Sequence, residues 1–241
     1  AKIWQSDGTI LGYSSGQHYT LDVRTPQSLD ELAVHLSLLE YDSHACVIRG
    51  TRNAVEVASI LPERNRARQA QGKPPTVVAR GQILRVAELF DDAPIPWVMI
   101  DVDKYAGGDI EQFIQAHLPA AFHDASYYWQ FGGSSGHPSR AGLLSAHLWF
   151  WLDTPRTGTE LAGQRWPNVD PSMFRRVQPH YTARPLGETV PPGPRSGLVK
   201  HSRGDVALRL MPLPPQAPRT FKPLPADLDV AKVTADLRAA L

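Results

Sequence analysis

The 241-residue chain is poor in cysteine and has no long apolar run. Cys46 is the single cysteine, which excludes a disulfide framework and a cysteine-ligated zinc site and fits a reducing compartment such as the cytoplasm. No apolar stretch approaches the roughly 20 residues that cross a membrane, and the first residues, AKIWQSDG, lack the features of a signal peptide. The sequence therefore predicts a cytoplasmic protein that makes no membrane contact.

A strong net charge is also missing. The 25 Lys and Arg residues nearly balance the 24 Asp and Glu residues, which leaves a charge of +1 at pH 7. A surface that binds nucleic acid must therefore be a local patch rather than a property of the whole molecule. Apolar residues make up 42% of the chain, as in ordinary globular proteins that bury a core.

Strand and helix signals are mixed without regular alternation, which predicts an α+β fold with helices packed on a sheet. Strands are expected within 1–24, where Asp7-Gly8 favours a hairpin turn, and further strands are expected at 45–48, 76–79, 97–103, 127–131, 143–152 and about 205–210. Helices are expected at 25–41, 109–117, 158–165 and 226–241, with a polar, partly helical segment at 51–75. Residues 1–211 are interpreted as one domain, followed by a Pro-rich linker at 212–225.

Two aspartates end the strand that contains WVMIDVDKY. Alternation along a strand places Met99, Asp101 and Asp103 on one face, with the two carboxylates roughly 6–7 Å apart. Carboxylates at this spacing can converge on hard cations such as Mg²⁺, which suits phosphoryl chemistry. The alternative is that a strand simply ends and a polar loop begins, because Asp is common at turns.

A second strand, LLSAHLWFWLD, has one wholly apolar face. Its other face begins with Ser145 and His147, whose hydroxyl and imidazole groups can bond phosphate oxygens. The turn before it, GGSSGHPSRAG, contains Arg140 and has amides that could approach an anion. A histidine that merely packs beside two tryptophans is an equally open interpretation.

Asp170 is a third candidate carboxylate, although an Asp before Pro171 is also typical of a helix N-cap. The most basic part of the chain follows it. A solvated basic surface is one interpretation, and contact with phosphates is the other. The basic residues are Arg175, Arg176, Arg184, Arg195, Lys200, His201, Arg203 and Arg209.

Taken in order, these motifs resemble those of the archaeo-eukaryotic primase superfamily, particularly the replication primases of plasmids and phages. That family has a D-x-D on a strand, an S-x-H on a later strand, and an apolar residue followed by Asp. The matching residues here are Asp101-Val102-Asp103, Ser145-Ala146-His147 and Val169-Asp170. A basic residue beside a proline often follows the third motif, as in TyrThrAlaArgPro at 181–185, and the resemblance covers roughly residues 40–205.

The resemblance implies a primase fold, in which an RRM-like catalytic sheet lies beside an N-terminal α/β subdomain. It implies template-directed nucleotidyl transfer with two Mg²⁺ or Mn²⁺ ions held by Asp101, Asp103 and Asp170. The incoming nucleoside triphosphate would be bound by Ser145, His147, Arg184, Lys200 and His201, and the single-stranded DNA template by Arg140, Arg175 and Arg176. A helicase domain or protein is a further expected partner.

Three alternatives remain at this stage. A rolling-circle replication endonuclease needs two histidines around an apolar residue, but His147 is followed by Leu148 and Trp149, which makes this class a poor fit. A metal-dependent nuclease or phosphodiesterase would use the same carboxylates and histidine. A single-strand-binding replication module that lacks catalysis is the third possibility.

Overall fold

The structure is a computed structural model that describes residues 1–12, 16, 18–107 and 109–211. Residues Ala1–Met211 form one compact unit. The linker predicted at 212–225 and the helix predicted at 226–241 lie outside the described residues. So do residues 13–15 and 17 of the segment 1–24, in which strands were expected.

Helices and strands alternate irregularly along the described residues. The helices are α1 (Leu29–Leu39), α2 (Val57–Ala70), α3 (Ile110–His117) and α4 (Gly158–Gly163), with 3₁₀ turns at Ala87–Leu89, Ala120–Phe122, Pro138–Arg140 and Pro171–Phe174. The strands are β1 (Ile3–Trp4), β2 (Ile10–Leu11), β3 (His18–Tyr19), β4 (Thr51–Arg52), β5 (Ile83–Leu84), β6 (Phe90–Asp91), β7 (Ile95–Tyr105), β8 (Tyr127–Phe131), β9 (Leu144–Arg156) and β10 (Ser196–Val199). The α+β class expected from the sequence is therefore correct.

A four-stranded antiparallel sheet organises the molecule. Its strand order is β10-β8-β9-β7, so β7 and β10 are the two outer strands. Together with α3 and α4, these strands follow each other as β-α-β-β-α-β. Antiparallel pairing of β7 and β8 with the strand between them makes those two strands parallel to each other. The small sheets β1-β2, β3-β5 and β4-β6 have two strands each.

The central sheet is buried on both faces, whereas the alternation of side chains in β9 predicted one apolar face and a second face that begins with polar residues. On one face, Val98, Ile100, Leu148 and Phe150 pack against helix α3 and the turn at Pro171–Phe174. On the other face, the sheet packs against the apolar stripe of α1. This second core contains Leu29, Leu32, Ala33, Leu36, Trp97, Met99, Tyr128, Trp149 and Trp151.

The N-terminus of α1 forms largely as its sequence predicts. Ser28 accepts a hydrogen bond from the amide of Glu31 at 3.2 Å, which satisfies one of the free amides of the first turn. The carboxylate of Glu31, however, accepts from the amide of Gln27 at 2.8 Å, one residue before the partner that a full capping box requires. The helix start is thus fixed by local chemistry.

Three short strands expected from the sequence do not form. Residues 45–48 make one bridge, between Val47 and His180, and the 205–210 segment makes one bridge, between Val206 and Leu152. Residues 76–79 contain no strand. The bridge of Val206 is made to β9 itself, but in neither segment does the pairing continue beyond one residue, and strand propensity alone does not extend it.

Strand β10 is not among the strands predicted from the sequence, because the residues before it are rich in proline. It forms by pairing with β8, from Ser196 opposite Gln130 to Val199 opposite Tyr127. Gly197 allows this approach, because a Cβ there would lie 2.9 Å from the indole nitrogen of Trp129. Tertiary pairing therefore creates a strand that the local sequence does not indicate.

Within the part of the chain that the structure describes, no helix combines the length and apolar character needed to cross a membrane.

Candidate functional site

Asp101 and His147 face each other across two neighbouring strands. Asp101 on β7 is the direct register partner of His147 on β9, and Nε2 of His147 lies 3.5 Å from Oδ1 of Asp101. Both side chains are partly exposed, at 27% for Asp101 and 15% for His147. The first two predicted motifs therefore meet on one face of the sheet.

A β-bulge positions the second aspartate. The register changes from Val102 opposite Ala146 to Tyr105 opposite Leu144, so that Asp103 and Lys104 together oppose Ser145. Lys104 has a left-handed backbone, with φ of 55°, and its amide donates to Oγ of Ser145 at 3.2 Å. Bulges redirect the side chains beside them, and this one leaves Asp103 exposed, with its carboxylate 3.5 Å from the Ser145 hydroxyl.

Asp170 is brought to this site by the 3₁₀ turn at Pro171–Phe174, which contacts the outer strand β7. Phe174 packs in the core on one face of the sheet, and Met173 packs against the core on the other. Gly158, at the start of α4, permits this close packing, because a Cβ there would clash with the carbonyl oxygen of Phe174. The turn that carries Asp170 is therefore held between α4 and the sheet edge.

The carboxylate of Asp170 also caps its own turn. Oδ1 accepts from the amide of Ser172 at 2.8 Å, and Oδ2 accepts from the Ser172 hydroxyl at 2.6 Å. The capping interpretation is therefore confirmed for Asp170, which also lies close enough to Asp101 for its charge to act there.

Negative charge is concentrated around Asp101. Partial burial, followed by the negative charges of Asp103 and Asp170, raises the pKa of Asp101 to about 6, against the opposing effect of Lys2. Burial, with a smaller contribution from Lys2, lowers the pKa of His147 to about 4. Because His147 is neutral, it does not offset the repulsion between the carboxylates. A bound cation would reduce that repulsion, because it favours the ionised form of every carboxylate.

Lys2 is a site residue that the sequence did not indicate. The backbone of residues 2–4 lies beside the 184–187 segment, with Leu186 donating to the carbonyl of Lys2 at 2.9 Å and a bridge between Ile3 and Leu186. This pairing brings the ammonium group of Lys2 near Asp101 and His147. A lone lysine far away in sequence gives no motif by which it could have been found.

Buried polar groups lie behind His147. Gln130 on β8 is its cross-strand partner on the side away from Asp101, and the 180–182 segment covers this area through a 2.5 Å hydrogen bond from the Gln130 amide to the Thr182 carbonyl. His180 is fully buried, with its ring centre 5.7 Å from that of Trp149. Burial, then the neighbouring His147 and Arg49, lowers the pKa of His180 to about 3, so both histidines are neutral at pH 7.

The three carboxylates do not form a complete metal-binding cage. Within the described ranges, no group of three or more His, Cys, Asp or Glu side chains is arranged to hold a metal ion. Asp101 and Asp103 present hard oxygen donors on the accessible face of β7, which fit Mg²⁺ or Mn²⁺. Asp170 fits as a third ligand only if its carboxylate turns away from Ser172.

The predicted triphosphate-binding residues are only partly brought together. Arg184 lies near the first residues of β10, with its amide bonded to the Glu40 carbonyl and its guanidinium over the Tyr41 ring at 5.4 Å. Lys200 is paired with Asp30 at 2.5 Å, and His201 lies 3.3 Å from Glu111 of α3. In the sheet, Asp101, His147, Gln130 and Ser196 lie side by side on the four strands. Val199 pairs instead with Tyr127, three residues from Gln130 along β8, so that Lys200 and His201 lie away from Asp101.

The predicted template-binding arginines lie in two places. Arg140 is exposed at the end of the 3₁₀ turn between β8 and β9. The amides of that turn are used internally, since those of Ser135 and Arg140 donate to the carbonyls of Gly132 and His137, so they are not free to form an anion site. Arg175 and Arg176 directly follow the turn that carries Asp170, and Arg175 is exposed.

Comparisons of the chain with protein-family models, with curated proteins and with solved structures found no match.

Proposed function

We propose that this chain is a metal-dependent nucleotidyltransferase of the primase-polymerase type, which extends or starts primers on single-stranded DNA. The observation that carries the proposal is the pairing of Asp101 with His147 on adjacent strands, with Asp103 and Ser145 next to them. Two short motifs more than 40 residues apart in sequence thus lie on one accessible surface. The β-α-β-β-α-β order along the chain and the pairing of β7 with β9 support an RRM-like sheet, although the last strand, β10, pairs here with β8 and leaves β7 at the edge.

Asp101 and Asp103 would hold divalent cations, with Asp170 as the third ligand. When bound, two Mg²⁺ or Mn²⁺ ions supply activation of the attacking 3′-hydroxyl and neutralisation of charge on the triphosphate. Burial, and then the charges of Asp103 and Asp170, raises the pKa of Asp101, and this crowding of carboxylates supports the assignment because a bound cation favours their ionised forms. The hydrogen bonds between Asp170 and Ser172 are local and exposed, so their exchange for a cation requires no change in the core.

The remaining groups would bind and orient the incoming nucleotide. Neutral His147 and the Ser145 hydroxyl can each donate to a phosphate oxygen, and Lys2 adds a positive charge on the same side. A row of paired residues runs from Asp101 through His147 and Gln130 to Ser196. Three strand spacings along this row span about 14 Å, which makes Arg184, beside β10, a candidate contact for the far end of the substrate.

The decisive experiment is primer synthesis by variants that keep the shape of the carboxylates. Asp101→Asn and Asp103→Asn are each expected to reduce Mn²⁺-dependent or Mg²⁺-dependent nucleotide incorporation on a single-stranded template by at least about 10³-fold, because each removes a charged ligand. Asp153→Asn, an exposed aspartate further along β9, is the matched control and should retain wild-type synthesis. Retained synthesis in either of the first two variants would contradict the proposal.

The same assay separates the competing functions. A labelled single strand incubated with Mn²⁺ is expected to be extended when nucleotides are present and to remain intact when they are absent. Degradation would instead identify a nuclease that uses the same carboxylates. Binding without extension or degradation, unaffected by Asp101→Asn, would identify a non-catalytic single-strand-binding module.

A further inference from the structure

Positive charge is concentrated in one segment of the chain that the candidate site does not use. Residues 52–85 contain seven Lys or Arg and only two Asp or Glu, whereas the whole chain has a net charge of +1. Helix α2 lies in this segment and has no buried residue. Its apolar residues Val57, Ile60 and Leu61 are partly buried against the small core around Leu89 and Phe90. That packing does not explain the excess of positive charge, which points to an external partner of negative charge.

The arginines of this segment converge on a cleft. Arg64 and Arg68, four residues apart on α2, line a cleft of about 460 Å³ together with Arg85, Gln71 and Thr76. Residues at this spacing lie on the same side of a helix, with Cβ atoms about 5–6 Å apart. The guanidinium group has five N–H donors in a planar fork that matches phosphate oxygens.

Each cleft arginine makes one hydrogen bond or ion pair, and Arg85 also lies over the ring of Tyr19 at 5.9 Å. The remaining guanidinium N–H groups can donate to a ligand. Nε of Arg68 donates to the Pro74 carbonyl at 2.8 Å, and Nη1 of Arg85 donates to the Val177 carbonyl at 2.6 Å. Arg64 is paired with Glu88 at 3.0 Å, and both side chains are substantially exposed. Such an exposed ion pair contributes little stability and can exchange for a phosphate.

The cleft is connected to the candidate catalytic surface. The hydrogen bond from Arg85 to Val177 joins it to the residues that follow the Pro171–Phe174 turn. The Gly50 amide donates to the Arg176 carbonyl at 2.7 Å, next to β4. Arg175 and Arg176 therefore lie on the chain between Asp170 and the cleft, which makes the two basic regions neighbours on one side of the protein.

We propose that the α2 cleft, defined by Arg64, Arg68 and Arg85, binds the phosphate backbone of single-stranded DNA outside the catalytic site. The identity of the polymer rests on the proposed function. The cleft holds the strand through charge and hydrogen bonds without reading its sequence, and it directs the strand past Arg175 and Arg176 towards Asp101. This role accounts for the arginines of α2, which the packing of its apolar residues does not require.

The test is the salt dependence of binding, measured by fluorescence anisotropy with a fluorescein-labelled 20-residue oligothymidine and the full chain. The double variant Arg64→Gln/Arg68→Gln is expected to bind about tenfold more weakly at low salt. Because two phosphate contacts are removed, the slope of log K against log salt concentration should fall by about 1.4. The control Arg24→Gln/Arg203→Gln removes the same charge from exposed arginines outside the cleft, and its slope should equal that of the wild type.

Identical slopes for the cleft and control variants would overturn the inference, as would a wild-type chain that does not bind the oligonucleotide. Unfolding temperatures of both variants are measured to check that they remain folded. No large change is expected, because Gln has nearly the helix propensity of Arg. The outcome is independent of catalysis. If primer synthesis is absent but the slope of the cleft variant is reduced, the proposed DNA binding by the cleft is supported and the proposed enzymatic function is contradicted. If synthesis is present and the cleft variant has the same slope as the control, only the proposed DNA binding by the cleft is contradicted.

Discussion

Lys104 shows how one residue sets the geometry of the candidate site. Its left-handed backbone conformation, with φ of 55°, allows Asp103 and Lys104 to share a single partner, Ser145. A non-glycine residue in this conformation costs roughly 1–2 kcal/mol. The cost is tolerated because the pairing on either side of the bulge fixes the backbone, and the effect is to keep Asp103 exposed beside Ser145.

At Lys104, the usual preference of a strand for valine over glycine should therefore be reversed. Lys104→Gly is expected to be more stable than Lys104→Val by about 1–2 kcal/mol, because valine disfavours a positive φ and glycine does not. At Asp153, an exposed strand position, the order should be the opposite, with valine favoured. Urea unfolding of the four variants gives the comparison, and the same preference at both positions would exclude strain at Lys104.

At the scale of elements, Asp92 connects β6 to the start of α4. Its carboxylate accepts from the amide of Gly158 at 2.7 Å, and from the amide and hydroxyl of Thr159 at 2.8 and 2.6 Å. Helix α4 also has a full capping box formed by Thr157 and Glu160. This short helix is thus fixed at its N-terminus from two sides, and through Gly158 and Phe174 it supports the turn that carries Asp170.

Replacing Asp92 should weaken this connection in a pH-dependent manner. Partial burial raises the pKa of Asp92, but the hydrogen bonds from Thr159 and Gly158 together outweigh it and leave the pKa below its ordinary value of 3.8. The stabilisation is therefore fully present above pH 3.8 and is lost as the pH falls through the lowered pKa.

Asp92→Ala is expected to cost about 1–2 kcal/mol at pH 7, with a smaller difference from the wild type at pH 3. Urea unfolding at pH 7, 5 and 3 measures both values. Asp153→Ala, which removes an exposed carboxylate, should change the unfolding free energy little at any of the three pH values. A cost for Asp92→Ala that does not vary with pH would show that the carboxylate charge is irrelevant to the connection.

For the whole molecule, one sheet supports two cores. Leu148 is fully buried on the α3 face, and Leu36 of α1 is 1% exposed on the other face. The central strand β9 contributes to both cores, through Leu148 on one face and Trp149 on the other. A single continuous structural unit of this kind is expected to unfold cooperatively.

Leu148→Ala and Leu36→Ala should each lower the unfolding free energy by about 2–5 kcal/mol and shift the same transition. Leu38→Ala, on the exposed side of α1 at 67% exposure, should change it by less than about 0.5 kcal/mol. Tryptophan fluorescence and far-ultraviolet circular dichroism are compared, because three tryptophans lie in the α1-side core. Separate transitions for the two cores would contradict this expectation.

Local and periodic signals in the sequence determined most of the elements that build the site. Alternation of apolar residues predicted the two buried strands and the shared face of Asp101 and Asp103. The helices predicted at 25–41 and 109–117 correspond to α1, which begins only after its cap Ser28, and to α3, which begins after its cap Asp109. These features depend on the residues within a few positions of each other, so the sequence contains them directly. The α+β class followed from the same signals.

Only the tertiary structure decided which of these elements meet. The register that places Asp101 opposite His147, the bulge at Lys104 and the strand β10 all depend on pairing between distant segments. Lys2 reaches the site because residues 2–4 pair beside Leu186, while Lys200 and His201 are held elsewhere by Asp30 and Glu111. Such contacts are selected by packing and pairing across the whole molecule, and no local pattern encodes them.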